Sequence, residues 1–210
     1  MTAGLPDPPL LIITDRKQAR RGLLKVAEAA FRGGARWLSL REKDLDSDAQ
    51  LALLGDLAAL GGRFGARVTL HGAAETALAA GADGLHLPAG GQVEAARRRL
   101  GPRALVGVSA HDEFELASAA AGGADYATLS PVFASASKPG YGPALGLEGL
   151  RSLLRGADCP VLALGGITQQ TLRGCIAAGA AGIAVMGPVM RASDPEALVR
   201  DMIGLLRQTA

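Results

Sequence analysis

Aromatic residues make up only 3% of this 210-residue chain. So few rings exclude a surface that stacks exposed nucleobases. The formal net charge is only +2, from 22 basic and 20 acidic residues. Charges so evenly matched and scattered exclude a polyanion partner such as nucleic acid. The basic run Arg97-Arg98-Arg99 reads as the solvated face of a helix. Only two cysteines are present, Cys159 and Cys175, with neither metal-ligand nor redox-motif spacing, so they read as structural thiols. No apolar stretch approaches the roughly 20 residues that span a bilayer, so no membrane segment is expected. Residues 1–9 lack a basic start and an apolar run, so they read as an extension without a secretion signal, and the expected location is cytoplasmic.

What the chain does have is glycine, 29 residues of it, in a composition that is 49% hydrophobic. That balance suits helices packed tightly on a sheet, with many short turns. The length favours one domain covering residues 1–210. Short apolar runs at 10–14, 36–41, 67–71, 84–87, 104–109, 126–130, 160–165 and 182–186 read as buried strands. Segments with helical spacing lie between them, at 21–32, 48–64, 74–80, 93–100, 113–121, 147–154, 168–178 and 195–208. A repeat supports the count. Gly33-Gly34-Ala35, Gly81-Ala82-Asp83, Gly122-Gly123-Ala124-Asp125 and Gly179-Ala180-Ala181 each mark a helix ending on glycine just before strands 2, 4, 6 and 8. Eight strand–helix units at this length predict an α/β fold, a single (β/α)₈ TIM barrel. The first βα turn has no G-x-G-x-x-G, which argues against a dinucleotide-binding open sheet.

In such barrels the site lies at the C-terminal ends of the strands, and phosphate is often held after strands 7 and 8. Those positions here carry Gly165-Gly166-Ile167-Thr168 and Met186-Gly187-Pro188, where glycines let backbone N–H groups approach phosphate oxygens. On strand 2 a period of two places Ser39, Arg41 and Lys43 on one side. Two cations aimed into the mouth call for an anion there, unless Glu42, Asp44 and Asp46 solvate them at the rim. The long segment after strand 6 carries Ser135, Ser137 and Lys138 among flexible glycines, a composition suited to a lid over phosphate. His71, His86 and His111 fall near the ends of strands 3, 4 and 5. His86 and His111 are expected to make structural hydrogen bonds, and His71 is the candidate for proton transfer.

Taken together, Ile13-Thr14-Asp15, Leu40-Arg41-Glu42-Lys43, Ala82-Asp83-Gly84-Leu85-His86-Leu87, Gly107-Val108-Ser109-Ala110-His111, Pro131-Val132-Phe133, Lys138, Gly165-Gly166-Ile167-Thr168 and Gly182-Ile183-Ala184-Val185-Met186 form an ordered set. The set resembles the thiamine phosphate synthase/TenI superfamily across residues 10–206. The resemblance implies that Arg41 and Lys43 hold the pyrophosphate of a pyrimidine substrate, with Ser109 and Lys138 as further contacts. It places Ser135 and Ser137 near a thiazole phosphate otherwise bound by backbone around Gly166, Met186 and Gly187. Two departures stand out. The synthase has Gln at the position of Ser39, and Mg²⁺-binding Asp residues at those of Gly72 and Gly91. Glycine offers no ligand to hard Mg²⁺. The expectation drawn from this is a metal-free thiazole tautomerase with no cofactor, moving a proton on a small phosphorylated thiazole. The histidine used as base in that group falls at Pro131, so His71 is expected to substitute. The alternatives are a synthase, which would use Mg²⁺, and a non-catalytic phosphate-ligand binder. The sequence is compatible with a homodimer and does not decide it.

Overall fold

A computed structural model describes residues 4–135 and 142–208. Eight parallel strands close into a barrel in the order β1 to β8: β1 (Leu10–Ile13), β2 (Trp37–Leu40), β3 (Arg67–Leu70), β4 (Gly84–Leu87), β5 (Leu105–Ala110), β6 (Tyr126–Leu129), β7 (Val161–Leu164) and β8 (Gly182–Val185). Closure is direct: Leu10, Leu11 and Ile12 of β1 sit opposite Ile183, Ala184 and Val185 of β8. The helices are α1 (Leu23–Arg32), α2 (Ser47–Gly62), α3 (Ala74–Ala79), α4 (Val93–Leu100), α5 (Glu113–Ala121), α6 (Gly146–Leu154), α7 (Leu172–Ala177), α8 (Gly187–Met190) and α9 (Pro195–Arg207). Among the described residues no helix is long and apolar enough to cross a membrane.

The pleat sorts every strand into two faces. Leu10, Ile12, Leu38, Leu40, Val68, Leu70, Leu85, Val106 and Val108 point outward into the core shared with the helices. Their alternates, Leu11, Ile13, Trp37, Leu105, Tyr126, Leu162 and Ala184, fill the interior, with Leu5 of the N-terminal extension packed against them. The scarce rings are concentrated here: Trp37 meets Tyr126 edge-to-face, with centroids 4.6 Å apart. Room for the Tyr126 ring comes from Gly107, where a Cβ would lie 2.0 Å from Tyr126 Cζ.

The repeated glycines do what their pattern predicts. Gly34, Gly81, Gly123 and Gly179 all have positive φ, between 64° and 107°, which lets each helix turn at once into the next strand. The aspartates of two copies add a second device. Asp83 Oδ2 accepts the Val68 backbone N–H at 2.7 Å, and Asp125 Oδ2 accepts that of Val106 at 2.7 Å, so each satisfies a donor on the neighbouring strand. Arg97, the first of the basic run, leaves the surface to pair with Asp125 at 2.6 Å, while Arg98 and Arg99 are the exposed residues expected.

Three local readings need correction. Strand 2 ends at Leu40, so the period-two rule has no hold on Lys43. Helix α7 starts at Leu172, later than residue 168, because Thr171 Oγ1 accepts the Thr168 N–H and a turn forms first. An additional short helix, α8, follows β8. Pro188 sits in its first turn, where no backbone N–H is needed.

Candidate active site

The C-terminal ends of the strands form a cavity lined by Ile13, Arg41, Ser130, Pro131, Ser135, Leu164, Gly165, Gly166, Ile167, Ala184, Val185, Met186, Gly187 and Pro188. Six of the expected site residues therefore meet there: Arg41, Ser135, Gly165, Gly166, Met186 and Gly187. Gly165 and Gly166 have φ of 97° and 63°, and a Cβ on Gly166 would lie 2.5 Å from Ala134 O. Only glycine permits this approach of the loop after β6 to the loop after β7. The loops join through backbone as well, the Phe133 N–H donating to Gly165 O at 3.0 Å.

Arg41 is set in place through Thr14, which the charge pattern did not single out, and Glu42, which it placed at the rim. Its backbone N–H donates to Thr14 Oγ1 at 2.8 Å, and that hydroxyl donates to Glu42 Oε1 at 2.8 Å. The same oxygen accepts the Arg16 backbone N–H at 2.9 Å. Glu42 is only 4% exposed, and burial pushes its carboxyl above the ordinary value, opposed by these hydrogen bonds. The acids expected to neutralise the strand-2 cations are engaged elsewhere. Asp44 pairs with Arg16 and Lys17, each at 2.9 Å, and is held down to about 2 by Lys17 first and Arg16 second. Asp46 caps α2 through the Ala49 N–H. Among the described residues no carboxylate lies within ion-pairing distance of the Arg41 guanidinium.

Other expected residues lie outside this cavity. Lys43 is exposed on the loop beyond β2 and does not line it. Ser39 is 2% exposed, one pleat below Arg41, and its Oγ has no hydrogen-bond partner among the described residues. His71 is half-buried just after β3 with its ring 5.0 Å from that of His86. Ser137 and Lys138, and with them the proposed lid, lie outside the described residues. His86 and His111 make structural bonds as expected. His111 Nδ1 lies 3.0 Å from Glu115 Oε2. His86 Nδ1 lies 2.9 Å from Tyr126 Oη, and its Nε2 lies 3.0 Å from Ser109 Oγ. Burial first, then the charges of His71 and Arg41, push His86 well below its ordinary value.

The two positions at which the resemblance implies magnesium-binding aspartates supply no ligand here. Positions 72 and 91 carry no side chain, and a Cβ at Gly91 would lie 2.6 Å from Leu87 Cβ. No cluster of three His, Cys, Asp or Glu suited to a metal occurs among the described residues.

The fold and this cavity define a (β/α)₈ barrel with a pocket beside the ends of β7 and β8. The chain belongs to the thiamine monophosphate synthase family, whose model matches residues 10–189. A thiamine-phosphate synthase of Roseiflexus castenholzii is 38% identical over 217 residues, covering 99% of this chain and 94% of the relative. One from Chloroflexus aurantiacus is 36% identical, covering 99% and 96%. Among solved structures, a thiamine phosphate pyrophosphorylase from Pyrococcus furiosus superposes with a TM-score of 0.85 at 28% identity, covering 95% of this chain and 96% of that one. These relatives overturn the tautomerase expectation. That reading rested on the few positions around 72 and 91, whereas similarity to synthases runs through nearly the whole chain.

Proposed function

We propose that this chain joins a pyrimidine pyrophosphate to a thiazole phosphate, forming thiamine phosphate and releasing pyrophosphate. The observation that carries the reading is the cavity itself: Arg41, without a carboxylate partner among the described residues, beside two glycine loops whose backbone can surround a phosphate. The near full-length relatives named as synthases support the same chemistry. In this reading the thiazole phosphate lies over Gly165, Gly166 and Gly187, with the Ser135 hydroxyl as a further donor. Arg41 meets the pyrophosphate, assisted by Lys43, Ser109 and Lys138.

The bond between the pyrimidine methylene and the pyrophosphate oxygen breaks, and its electron pair leaves on oxygen. The thiazole nitrogen then supplies the pair for the new bond to that methylene carbon. Charge grows on the departing oxygen, so a fixed guanidinium already aimed there stabilises the transition state more than the ground state. No step is assigned to a metal, since the donor set for one is absent at positions 72 and 91. Incubation with both substrates, with product separated by chromatography, tests the proposal. Thiamine phosphate is the expected product, and its absence under conditions where a relative such as the Roseiflexus enzyme forms it refutes the reading.

A further inference from the structure

We infer that His86 is a positioning residue which turns the Ser109 hydroxyl into a dedicated hydrogen-bond donor toward the substrate anion; this deepens the pyrophosphate reading of the site and rests on it. The argument is a count of protons along one buried chain. Tyr126 is fully buried, and burial raises its phenol far above its ordinary value, so its proton stays on. A buried hydroxyl needs an acceptor. Among the described residues the Tyr126 hydroxyl has one hydrogen-bond neighbour, His86 Nδ1 at 2.9 Å. Tyr126 therefore donates, and Nδ1 accepts. Were the proton on Nδ1 instead, the phenol proton would be orphaned inside the barrel, at a cost comparable to a lost buried hydrogen bond.

A neutral imidazole with a bare Nδ1 carries its proton on Nε2. That N–H points to Ser109 Oγ at 3.0 Å, much better placed than Thr128 Oγ1 at 3.5 Å. The Ser109 lone pair is thereby occupied from below. Its own proton has no acceptor among the described residues, and Ser109 is the partly exposed end of the chain, near the C-terminal end of β5. Accepting from Nε2–H on one of its two lone pairs, Ser109 keeps for an outward acceptor the proton that a bare Nε2 would otherwise take. The direction is set by residues 23 and 40 positions apart in sequence, Ser109 from His86 and Tyr126 from His86.

Two measurements test this. The first is the ¹⁵N spectrum of His86 side-chain nitrogens in the intact protein between pH 5 and 8. The expected result is a protonated Nε2 and a bare Nδ1 throughout; an Nδ1–H tautomer or an imidazolium overturns the inference. The second is calorimetric binding of inorganic pyrophosphate. Ser109→Ala should weaken it about tenfold or more, as loss of a hydrogen bond to a charged group does. His86→Leu, which leaves Ser109 undirected, should weaken it by roughly 3- to 10-fold. His86→Gln, whose amide N–H can stand in for Nε2–H, should recover most of that loss. Equal behaviour of the Leu and Gln variants, both folded by circular dichroism, assigns His86 a filling role only and overturns the proposal. The two readings fail separately. The expected tautomer and affinity order without thiamine phosphate formation sinks only the synthase reading. Thiamine phosphate formation with the opposite tautomer sinks only the positioning role.

Discussion

Gly107 offers the sharpest test of how the barrel interior is built. Its backbone has no positive φ, so alanine is allowed there conformationally, and the whole penalty of Gly107→Ala is steric. The added Cβ would lie 2.0 Å from Tyr126 Cζ, 2.2 Å from Cε1 and 2.5 Å from Oη. The ring must move, and it is wedged against Trp37 and bonded to His86. Overpacking of this kind costs about 1–3 kcal/mol, and loss of the Tyr126–His86 hydrogen bond adds about 0.5–1.5 kcal/mol. Destabilisation of about 2–4 kcal/mol is expected, which in a chain of this size lowers Tm by about 4–16 °C. Urea unfolding followed by fluorescence suits the measurement, because the single tryptophan, Trp37, is itself the neighbour of the displaced ring. In a Tyr126→Ala background the clash is gone, and the same substitution should cost less than about 1 kcal/mol, a coupling measurable by double-mutant cycle. A Gly107→Ala protein within about 0.5 kcal/mol of the parent, or an additive cycle, would refute the packing argument.

Other outcomes follow from the same geometry. Glu42→Ala strips acceptors from the Thr14 hydroxyl and the Arg16 N–H and should cost about 1–3 kcal/mol in urea unfolding. Glu42→Gln keeps Oε1 and should stay within about 1 kcal/mol at neutral pH, because burial already disfavours the charge. The pKa of His86 is lower in the folded than in the unfolded chain, where the ordinary value of 6.5 applies. Its contribution to stability is thus present above pH 6.5 and is lost as pH falls below it; His86→Gln should flatten that acid limb in thermal melts at stepped pH. Arg41→Ala should weaken binding of inorganic pyrophosphate by at least about tenfold, read by calorimetry, with little change in Tm. With no carboxylate pair at positions 72 and 91, pyrophosphate affinity should be the same in EDTA as in Mg²⁺. A large gain with Mg²⁺ would show that other groups supply its ligands.

The legibility of the site followed the range of the interactions involved. Gly165-Gly166 and Met186-Gly187 could be singled out because small residues at a strand end are a local pattern, and both pairs line the cavity. Arg41 was found for a similar reason, since the strand-2 alternation still governs a residue immediately past Leu40. Lys43 could not be placed by the same rule, because β2 ends at Leu40 and the pleat no longer directs a side chain three residues past its end. Glu42 read as a rim acid, yet it is buried under Thr14 and Arg16, contacts made by a different strand end. The weight given to Gly72 and Gly91 shows the opposite error, a strong chemical argument at two positions set against a chain that resembles synthases along its length.

By itself the sequence determined the alternation of eight strands and helices, the glycine that ends each repeated helix, the face shared by Ser39 and Arg41 on strand 2 and the superfamily. All of these rest on periods of two or 3.6 residues and on single-residue backbone preferences, so neighbours in the chain suffice to express them. Only the tertiary structure decided which polar residues meet inside the barrel. Tyr126, His86 and Ser109 sit on three adjoining strands, β6, β4 and β5, and they meet because closure of the barrel and the stagger between strands bring those levels together. That distance is not encoded in any local pattern, and with it came the chain from Tyr126 through His86 to Ser109.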